Sequence, residues 1–312
     1  MGIALALAER GRGRTGPNPS VGCVLVRDGR VVGRGWTQPD GRPHAEQMAL
    51  DQAGAAAAGA VAYVTLEPCS HVSPRGPACA DLLVAAGVAA VVVAHGDPDP
   101  RVDGRGLARL RAAGIHVEEG VCRAEAARTL AGFLTRLRHG RPFVTLKLAL
   151  SLDGAVAIGD GRSHWITGAP ARAHAHLERS RHEHILVGRG TLEADRPRLD
   201  VRLAGLADRS PAIAVLTTGD PPLPVTRIAR PADIAGLPGN HLLVEGGAAA
   251  AAAFLRENLV DRLLLYRAPI LVGGGITLPD IGLSGLADAH GRWRLADARM
   301  LGSDRVEVYE AV

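Results

Sequence analysis

The stretch AVAYVTLEPCSHVSPRGPACADLLVAAGVAAVVVAH, residues 60–95, decides the fold of the first half of the chain. Residues 60–68 and 88–95 are apolar runs, and between them a segment from about Cys79 to Ala86 ends at Gly87. Continuous apolar runs suit strands covered on both faces, and glycine commonly ends a helix. The pattern therefore predicts a strand, a helix and a second, parallel strand.

The same alternation continues on both sides of this stretch. Asp28-Gly29 tolerates the positive φ angles of a tight turn, so residues 21–27 and 31–35 are predicted to form a hairpin. Further segments that fit the alternation are a helix over 44–58, a helix near 103–113 and a strand over 115–120. Together they predict a mostly parallel α/β/α sandwich.

A second domain begins near residue 141. Residues 121–141 have a helical pattern that becomes basic towards its end. In RHGRP (138–142), Gly140 and Pro142 can close the helix and begin a connector. Domains are therefore expected at 1–141 and 142–312. Beyond the boundary the predicted strands are 143–151, 184–188, 212–216, 241–247, 262–271 and the C-terminal RVEVYEAV, with helices near 169–181 and 248–258. This pattern indicates a second α/β domain.

Composition narrows the class of protein. The chain has 312 residues, more than the roughly 100 to 200 of one domain, and its 47% hydrophobic residues are typical of a folded protein. No apolar run approaches the roughly 18 to 20 residues of a membrane span, and no secretory signal is recognisable. We therefore expect a cytoplasmic protein without a membrane partner, in which the four cysteines are thiols.

The net charge of +4 does not by itself indicate nucleic acid. Arginines are scattered, and aromatic residues make up 3% of the chain, which leaves little stacking surface for single strands. A small anionic ligand such as a phosphate explains the excess at least as well. No nucleic-acid partner is expected.

His44, Glu46, Cys69 and Cys79 form a pattern that predicts zinc chemistry. His44 and Glu46 are two apart at a helix start, so they converge only if that helix points end-on at the site. Cys79 also opens a helix, which favours its thiolate. One imidazole and two thiolates leave a fourth position for water, as in a catalytic zinc site. Glu46 is then the group that moves protons between water and a leaving amine.

This order of residues resembles the signature of the cytidine-deaminase-like zinc enzymes. The chain is further similar to the bifunctional deaminase/reductase family of riboflavin biosynthesis. The motifs that carry this resemblance span nearly the whole chain: GPNPSVGCVLV (16–26), GRPHAEQMAL (41–50), VTLEPCSH (64–71), HGDPDPRVDGRG (95–106), LKLALSLDG (146–154), SHWITG (163–168), VGRGTLEADRPRLDVR (187–202), HLLVEGG (241–247) and LYRAPILVGGG (265–275).

The resemblance implies two reactions on a small phosphorylated pyrimidine. The first is hydrolytic deamination of the ring, and the second reduces the attached ribosyl group to a ribityl chain with NADPH. In the deaminase, Asn18 is expected to contact the pyrimidine, His71 and Arg75 the phosphate or ribose, and Asp97 and Asp99 the sugar or ring. Relatives form homo-oligomers, so a dimer or tetramer is expected.

No G-x-G-x-x-G follows a strand in the second half, so a Rossmann dinucleotide site is not indicated there. The family resemblance implies instead that this half is similar to dihydrofolate reductase. The residues that the resemblance assigns to NADPH are Leu150, Trp165, Thr191, Asp195, Thr218, Gly246 and Gly247. Those that it assigns to the substrate are Ser163, Arg179, Leu199, Arg202 and Glu245. Reduction also needs an acid near the sugar, and Lys147 or Glu245 is the candidate.

Several positions depart from the family pattern. The insert between Cys69 and Cys79 has one residue more than usual, Thr37 replaces a common substrate-binding His, and Asp99 stands where many relatives have Asn. Arg196 replaces a common acidic residue, and the second domain is short between AIAVL and HLLVEGG.

Two alternative functions remain open on the sequence. One is a zinc deaminase for another pyrimidine or a nucleic-acid base, with a non-catalytic or altered second domain. The other is a zinc-stabilised interaction module without catalysis, which would not need Glu46.

Overall fold

The computed structural model describes residues 1–71, 73–159, 165–221 and 224–312. They form two compact units, Met1–Gly140 and Arg141–Val312. Each unit has its own central sheet and its own buried apolar core. Gly140 closes the last helix of the first unit with a φ of 68°, a conformation that glycine adopts at little cost.

The described residues of the first unit form a five-stranded sheet in the order β2-β1-β3-β4-β5. The strands are β1 (Gly22–Arg27), β2 (Arg30–Trp36), β3 (Val61–Val64), β4 (Ala90–Val93) and β5 (His116–Glu119). The helices are α1 (Gly2–Ala8), α2 (Ala45–Ala53), α3 (Cys79–Ala85), α4 (Arg105–Ala112), α5 (Arg123–Thr129) and α6 (Ala131–His139).

This sheet is mixed rather than mostly parallel. β1 is antiparallel to both β2 and β3, whereas β3, β4 and β5 are parallel to one another. The predicted hairpin explains the difference, because a two-residue turn reverses the chain and leaves antiparallel pairs on that side. Asp28 and Gly29 have φ angles of 49° and 73°, as the turn requires.

Helix α2 lies directly on strand β2. A Cβ atom added to Gly35 would lie 2.0 Å from the carbonyl oxygen of Ala45, and one added to Gly33 would lie 2.1 Å from that of Ala49. Both glycines therefore allow two backbones to meet without intervening side chains. The helix ends at Ala53, short of the predicted 44–58, and continues as a 3₁₀ turn over Gly54–Ala57.

The second unit is built on an eight-stranded sheet in the order β12-β13-β11-β6-β10-β7-β8-β9, over its described residues. Its strands are β6 (Phe143–Leu150), β7 (His184–Gly188), β8 (Ala212–Leu216), β9 (Thr226–Ile228), β10 (His241–Val244), β11 (Arg262–Arg267), β12 (Trp293–Leu301) and β13 (Asp304–Ala311). Its helices are α7 (Ala169–Arg179), α8 (Arg189–Asp195) and α9 (Ala248–Arg256).

The strands from β11 to β9 in this order are parallel, and β13 and β12 add antiparallel pairs at one edge. The sequence did not predict β9, β12 or α8. β9 has three residues, and β12 is exposed along almost its whole length, so neither shows an apolar pattern. Among the described residues, no helix has the length and apolarity that crossing a membrane requires.

We expect Gly35→Ala to destabilise the first unit by about 1–3 kcal/mol, since the new methyl group forces α2 away from β2. The measurement is the urea concentration at which that unit unfolds. Gly2→Ala is the matched control, because nothing lies within 4 Å of a Cβ atom there. Equal stability in both variants would contradict the close backbone packing.

Candidate active sites

Three side chains with metal-binding atoms converge in the first unit. His44 Nδ1, Cys69 Sγ and Cys79 Sγ all lie within 4.8 Å of one another. The imidazole nitrogen is 3.3 Å from the sulfur of Cys79 and 3.7 Å from that of Cys69. One imidazole and two thiols in such close contact are a donor set that fits zinc.

Local structure explains this convergence. His44 is the N-cap of α2, Cys79 is the first residue of α3, and Cys69 lies in the turn after β3. The backbone N–H of Cys79 donates to the sulfur of Cys69 at 3.3 Å. Hydrogen bonding to Cys79 lowers the pKa of Cys69, which favours the thiolate form that binds zinc.

Glu46 lies beside these three residues as the second residue of α2, with 3% of its surface exposed. Burial raises the pKa of this carboxyl to about 7, against the opposing effect of the His44 charge. A carboxyl group with a pKa near the working pH can both accept and donate a proton.

A cavity of about 340 Å³ opens beside this cluster. The sequence-predicted residues that line it are Asn18, His44, Glu46, Cys69, His71, Arg75, Asp97 and Asp99. Cys79 is buried behind them, with 1% of its surface exposed. The structure thus brings all the predicted deaminase residues to one place.

Asn18 and Arg75 both make contacts within the protein. Asn18 donates from Nδ2 to the carbonyl oxygen of Gly41 at 3.0 Å and lies 3.4 Å from Nε2 of His44. Arg75 donates to the carbonyl oxygen of Asp40. His71 differs, because its Nδ1 is buried and has no hydrogen-bond partner among the described residues.

The acidic wall of the cavity contains Asp97 and Asp99. Burial raises the pKa of Asp97 to about 6. Asp99 accepts hydrogen bonds from the guanidinium of Arg101, the shortest at 2.6 Å, and these lower its pKa. Thr37, which replaces the expected His, uses its hydroxyl to accept the backbone N–H of Val21 at 3.0 Å.

Several residues that line this cavity were not predicted from the sequence. Among them are Arg42, Glu67 and Arg101, together with Phe133, Arg136 and Leu137 of α6. The last three have helical spacing, which places them on one face. That spacing is a usable signal, but it does not say which cavity the face meets.

The second unit contains a cavity of about 380 Å³. The predicted residues that line it are Lys147, Trp165, Arg179, Thr191, Asp195, Leu199, Arg202, Glu245, Gly246 and Gly247. Leu150 and Thr218 are described but are not among its lining residues. Ser163 lies outside the described residues.

Glu245 is the electrostatic centre of this cavity. Arg179 donates to it from Nε at 2.7 Å and from Nη2 at 2.9 Å, and Nζ of Lys147 lies 3.7 Å away. Burial alone would raise the pKa of Glu245, but the charges of Lys147 and Arg179 lower it to about 2. Glu245 is therefore a carboxylate at neutral pH.

Other lining residues of this cavity were missed. Arg172 and His176 lie on α7 with Arg179, at helical spacing of four and three residues, so the sequence did carry a signal for them. Tyr266 is 1% exposed and lies under Nζ of Lys147, 5.9 Å from the ring centre. Because Tyr266 lies in a buried strand, its sequence pattern did not distinguish it from an ordinary core residue.

Comparison with known protein families divides the chain in the same way. Residues 1–95 match the cytidine and deoxycytidylate deaminase zinc-binding region. Residues 142–229 and 232–306 match the RibD C-terminal domain.

Whole proteins with the same arrangement are also similar to this chain. It is 41% identical to riboflavin biosynthesis protein RibD of Escherichia coli, over 97% of this chain and 96% of that protein. It is 40% identical to RibD of Mycobacterium tuberculosis, over 97% and 94% respectively.

Two solved structures cover all of this chain and 97% of their own. Acinetobacter baumannii RibD has a TM-score of 0.87 at 36% identity. A diaminohydroxyphosphoribosylaminopyrimidine deaminase/5-amino-6-(5-phosphoribosylamino)uracil reductase from Thermotoga maritima has a TM-score of 0.89 at 30% identity.

We expect Cys79→Ala to lose zinc, because two remaining ligands bind the ion far more weakly than three. Elemental analysis of the purified protein measures the metal content per chain. Cys122→Ala is the control, since this thiol is exposed and outside the cluster. Full zinc content in Cys79→Ala would show that another group holds the metal.

Proposed function

The chain belongs to the RibD family of riboflavin-biosynthesis deaminase/reductases, which use zinc and NADPH, and we propose how its residues divide the two reactions. In this proposal residues 1–141 deaminate the pyrimidine and residues 142–312 reduce its sugar. The substrate is a diaminohydroxy-pyrimidine that carries a ribosylamino phosphate. The observation that carries the proposal is the convergence of His44, Cys69 and Cys79 beside the buried Glu46.

His44, Cys69 and Cys79 are the zinc ligands in this proposal. When bound, zinc supplies Lewis acidity that makes water a nucleophile at neutral pH. The carboxylate of Glu46 takes a proton from the attacking water and delivers it to the departing amine. Its burial and its position beside the ligands support this role.

Side chains around the cavity hold the substrate. Nδ1 of His71 is buried and has no hydrogen-bond partner within the described part of the chain, and such an atom is costly, which supports a hydrogen bond from the substrate to His71. Asn18, Asp97 and Asp99 contact the ring or sugar. Arg75 contacts the phosphate, as suits the charge and planar shape of a guanidinium.

In the second unit, Thr191, Asp195, Gly246 and Gly247 are proposed to bind NADPH together with the other predicted cofactor residues. The N–H of Gly247 donates to Oγ1 of Thr191 at 3.0 Å, which supports a common site. Bound NADPH supplies the hydride. Ser163, Arg179, Leu199 and Arg202 complete the proposed substrate site with Glu245.

Lys147 is the better of the two candidate acids. The low pKa of Glu245 means that this carboxylate has no proton to give at neutral pH. Nζ of Lys147 lies 3.7 Å from Glu245, in an ion pair that holds this donor at the cavity. We therefore assign the proton that balances the hydride to Lys147, and the positioning of Lys147 and Arg179 to Glu245.

The localisation, oligomeric state and partners of the enzyme are also part of the proposal. We retain a cytoplasmic homo-oligomer, a dimer or tetramer, that acts on a small molecule without a nucleic-acid or membrane partner. Four free thiols and the scarcity of aromatic residues support this.

Glu46→Gln is expected to lower kcat of deamination roughly 10²- to 10⁴-fold while zinc content stays unchanged, because the amide cannot take up a proton. Ammonia release from the pyrimidine substrate measures this step in zinc-loaded, full-length protein. NADPH oxidation on the deaminated intermediate is the control and should keep its rate. In the unaltered enzyme, NADPH oxidation should follow deamination. An unchanged rate of deamination in Glu46→Gln would contradict the assignment of proton transfer to Glu46.

Glu245→Gln should stop NADPH oxidation while NADPH still binds, because Lys147 and Arg179 lose the carboxylate that places them. It should also lower the urea midpoint, since the buried Arg179 loses its partner. The pKa of Glu245 is depressed, so its stabilising contribution is complete above about pH 4.5 and is lost as the pH falls towards about 2.

Unfolding midpoints of both forms at pH 8, 5 and 3 test this expectation. The difference between them should be equal at pH 8 and 5 and smaller at pH 3. A difference that already changes between pH 8 and 5 would mean that Glu245 is not the ionised partner of Arg179. Glu193→Gln is the control, because its ion pair with Arg189 is half exposed.

A further inference from the structure

Glu67 is a buried acid that lies between the zinc-ligand segment and the substrate carboxylates. It is 3% exposed and precedes Cys69 by two residues. Its Oε1 accepts the backbone N–H of Gly106 at 2.9 Å and that of Leu107 at 3.4 Å. Its Oε2 accepts the N–H of Gly104 at 3.1 Å and that of Asp97 at 3.3 Å. One oxygen of this side chain is therefore used by the loop over 97–104 and the other by the first turn of α4, which follows that loop.

That loop carries the two aspartates of the deaminase cavity. The N–H of Asp99 donates to Oδ1 of Asp97 at 2.9 Å, and the N–H of Arg101 donates to Oδ1 of Asp99 at 2.9 Å. Each carboxylate is thus oriented by the backbone that follows it. The series begins at Glu67, whose Oε2 holds the N–H of Asp97.

Backbone packing joins the same two segments independently of the hydrogen bonds. A Cβ atom added to Gly106 would lie 2.0 Å from the carbonyl oxygen of Pro68. The start of α4 therefore rests on the residue between Glu67 and Cys69. Any shift of this contact moves the loop over 97–106 relative to the zinc ligand.

We propose that Glu67 is a positioning residue for deamination, which holds Asp97 and Asp99 at a set distance from the zinc-ligand segment. This inference rests on the proposed function, in which those two aspartates contact the substrate. A carboxylate is required because both of its oxygens accept hydrogen bonds. Glutamine has the same shape but one oxygen, so its NH₂ group would face two N–H donors and leave them unpaired.

Glu67 is expected to affect substrate binding and not proton transfer. Among the described residues, the side-chain hydrogen bonds of Glu67 go to the loop over 97–104 and to the first turn of α4, and none goes to Glu46 or His44. Loss of Glu67 should therefore weaken substrate binding while the chemical step and the metal are retained. A residue that only caps α4 would lower stability without changing KM.

The test uses Glu67→Gln in full-length, zinc-loaded enzyme with the pyrimidine substrate. We expect KM for deamination to rise about tenfold or more, as the loss of charged hydrogen bonds implies, and kcat to change less than about threefold. Zinc content and the NADPH-oxidation rate on the deaminated intermediate should be unchanged. Thr65→Val is the matched control: it removes a buried acceptor of the Gly22 N–H on the same chain segment, without touching the loop, and should leave KM unchanged.

Gly106→Ala disturbs the same contact by another route and should also raise KM, so it decides the question if Glu67→Gln does not fold. An unchanged KM in a folded variant, or loss of zinc from Glu67→Gln, would overturn the positioning role. Absence of deamination in the unaltered enzyme is a different result, because it would overturn the proposed function and this inference with it.

Discussion

The close approach of two sulfur atoms and an imidazole, within 4.8 Å of one another, is the constraint on which the first unit depends. The thiolate of Cys69 and the carboxylate of Glu46 repel one another when buried, and a divalent ion offsets that repulsion. The positive ends of α2 and α3 act in the same direction. The starts of α2 and α3 must therefore meet the chain beyond the carboxyl end of β3.

The packing of the first unit brings its elements together at the cluster of His44, Cys69 and Cys79. α2 reaches it because glycines in β2 allow direct backbone contact. The loop before α4 reaches it because Glu67 and Pro68 bind its backbone beside Cys69. The same few residues thus stabilise the fold and set the distances within the cavity, which is why a substitution outside the ligand set can alter binding.

The second unit also contains a buried negative charge that must be compensated. Glu245 is buried between Arg179 and Lys147, so its charge is compensated by two cations. A buried ion pair adds little net stability, because desolvation offsets much of the attraction. The ion pairs do hold the long side chains of Arg179 and Lys147 in one arrangement. The proposed reduction requires such an arrangement, because a hydride and a proton must reach the same sugar.

The sequence by itself determined the features that depend on neighbours along the chain. The Asp28-Gly29 turn, the helix starts at His44 and Cys79, and the family motifs are local, and the zinc and NADPH chemistry follows from them. Tertiary structure decided which distant residues meet. The register of β6 on β10 pairs Leu146 with Val244 and so places Lys147 beside Glu245, and the packing of α6 adds Phe133 and Arg136 to the deaminase cavity. Strand pairing and helix packing depend on contacts summed over the whole core, which no short stretch of sequence contains.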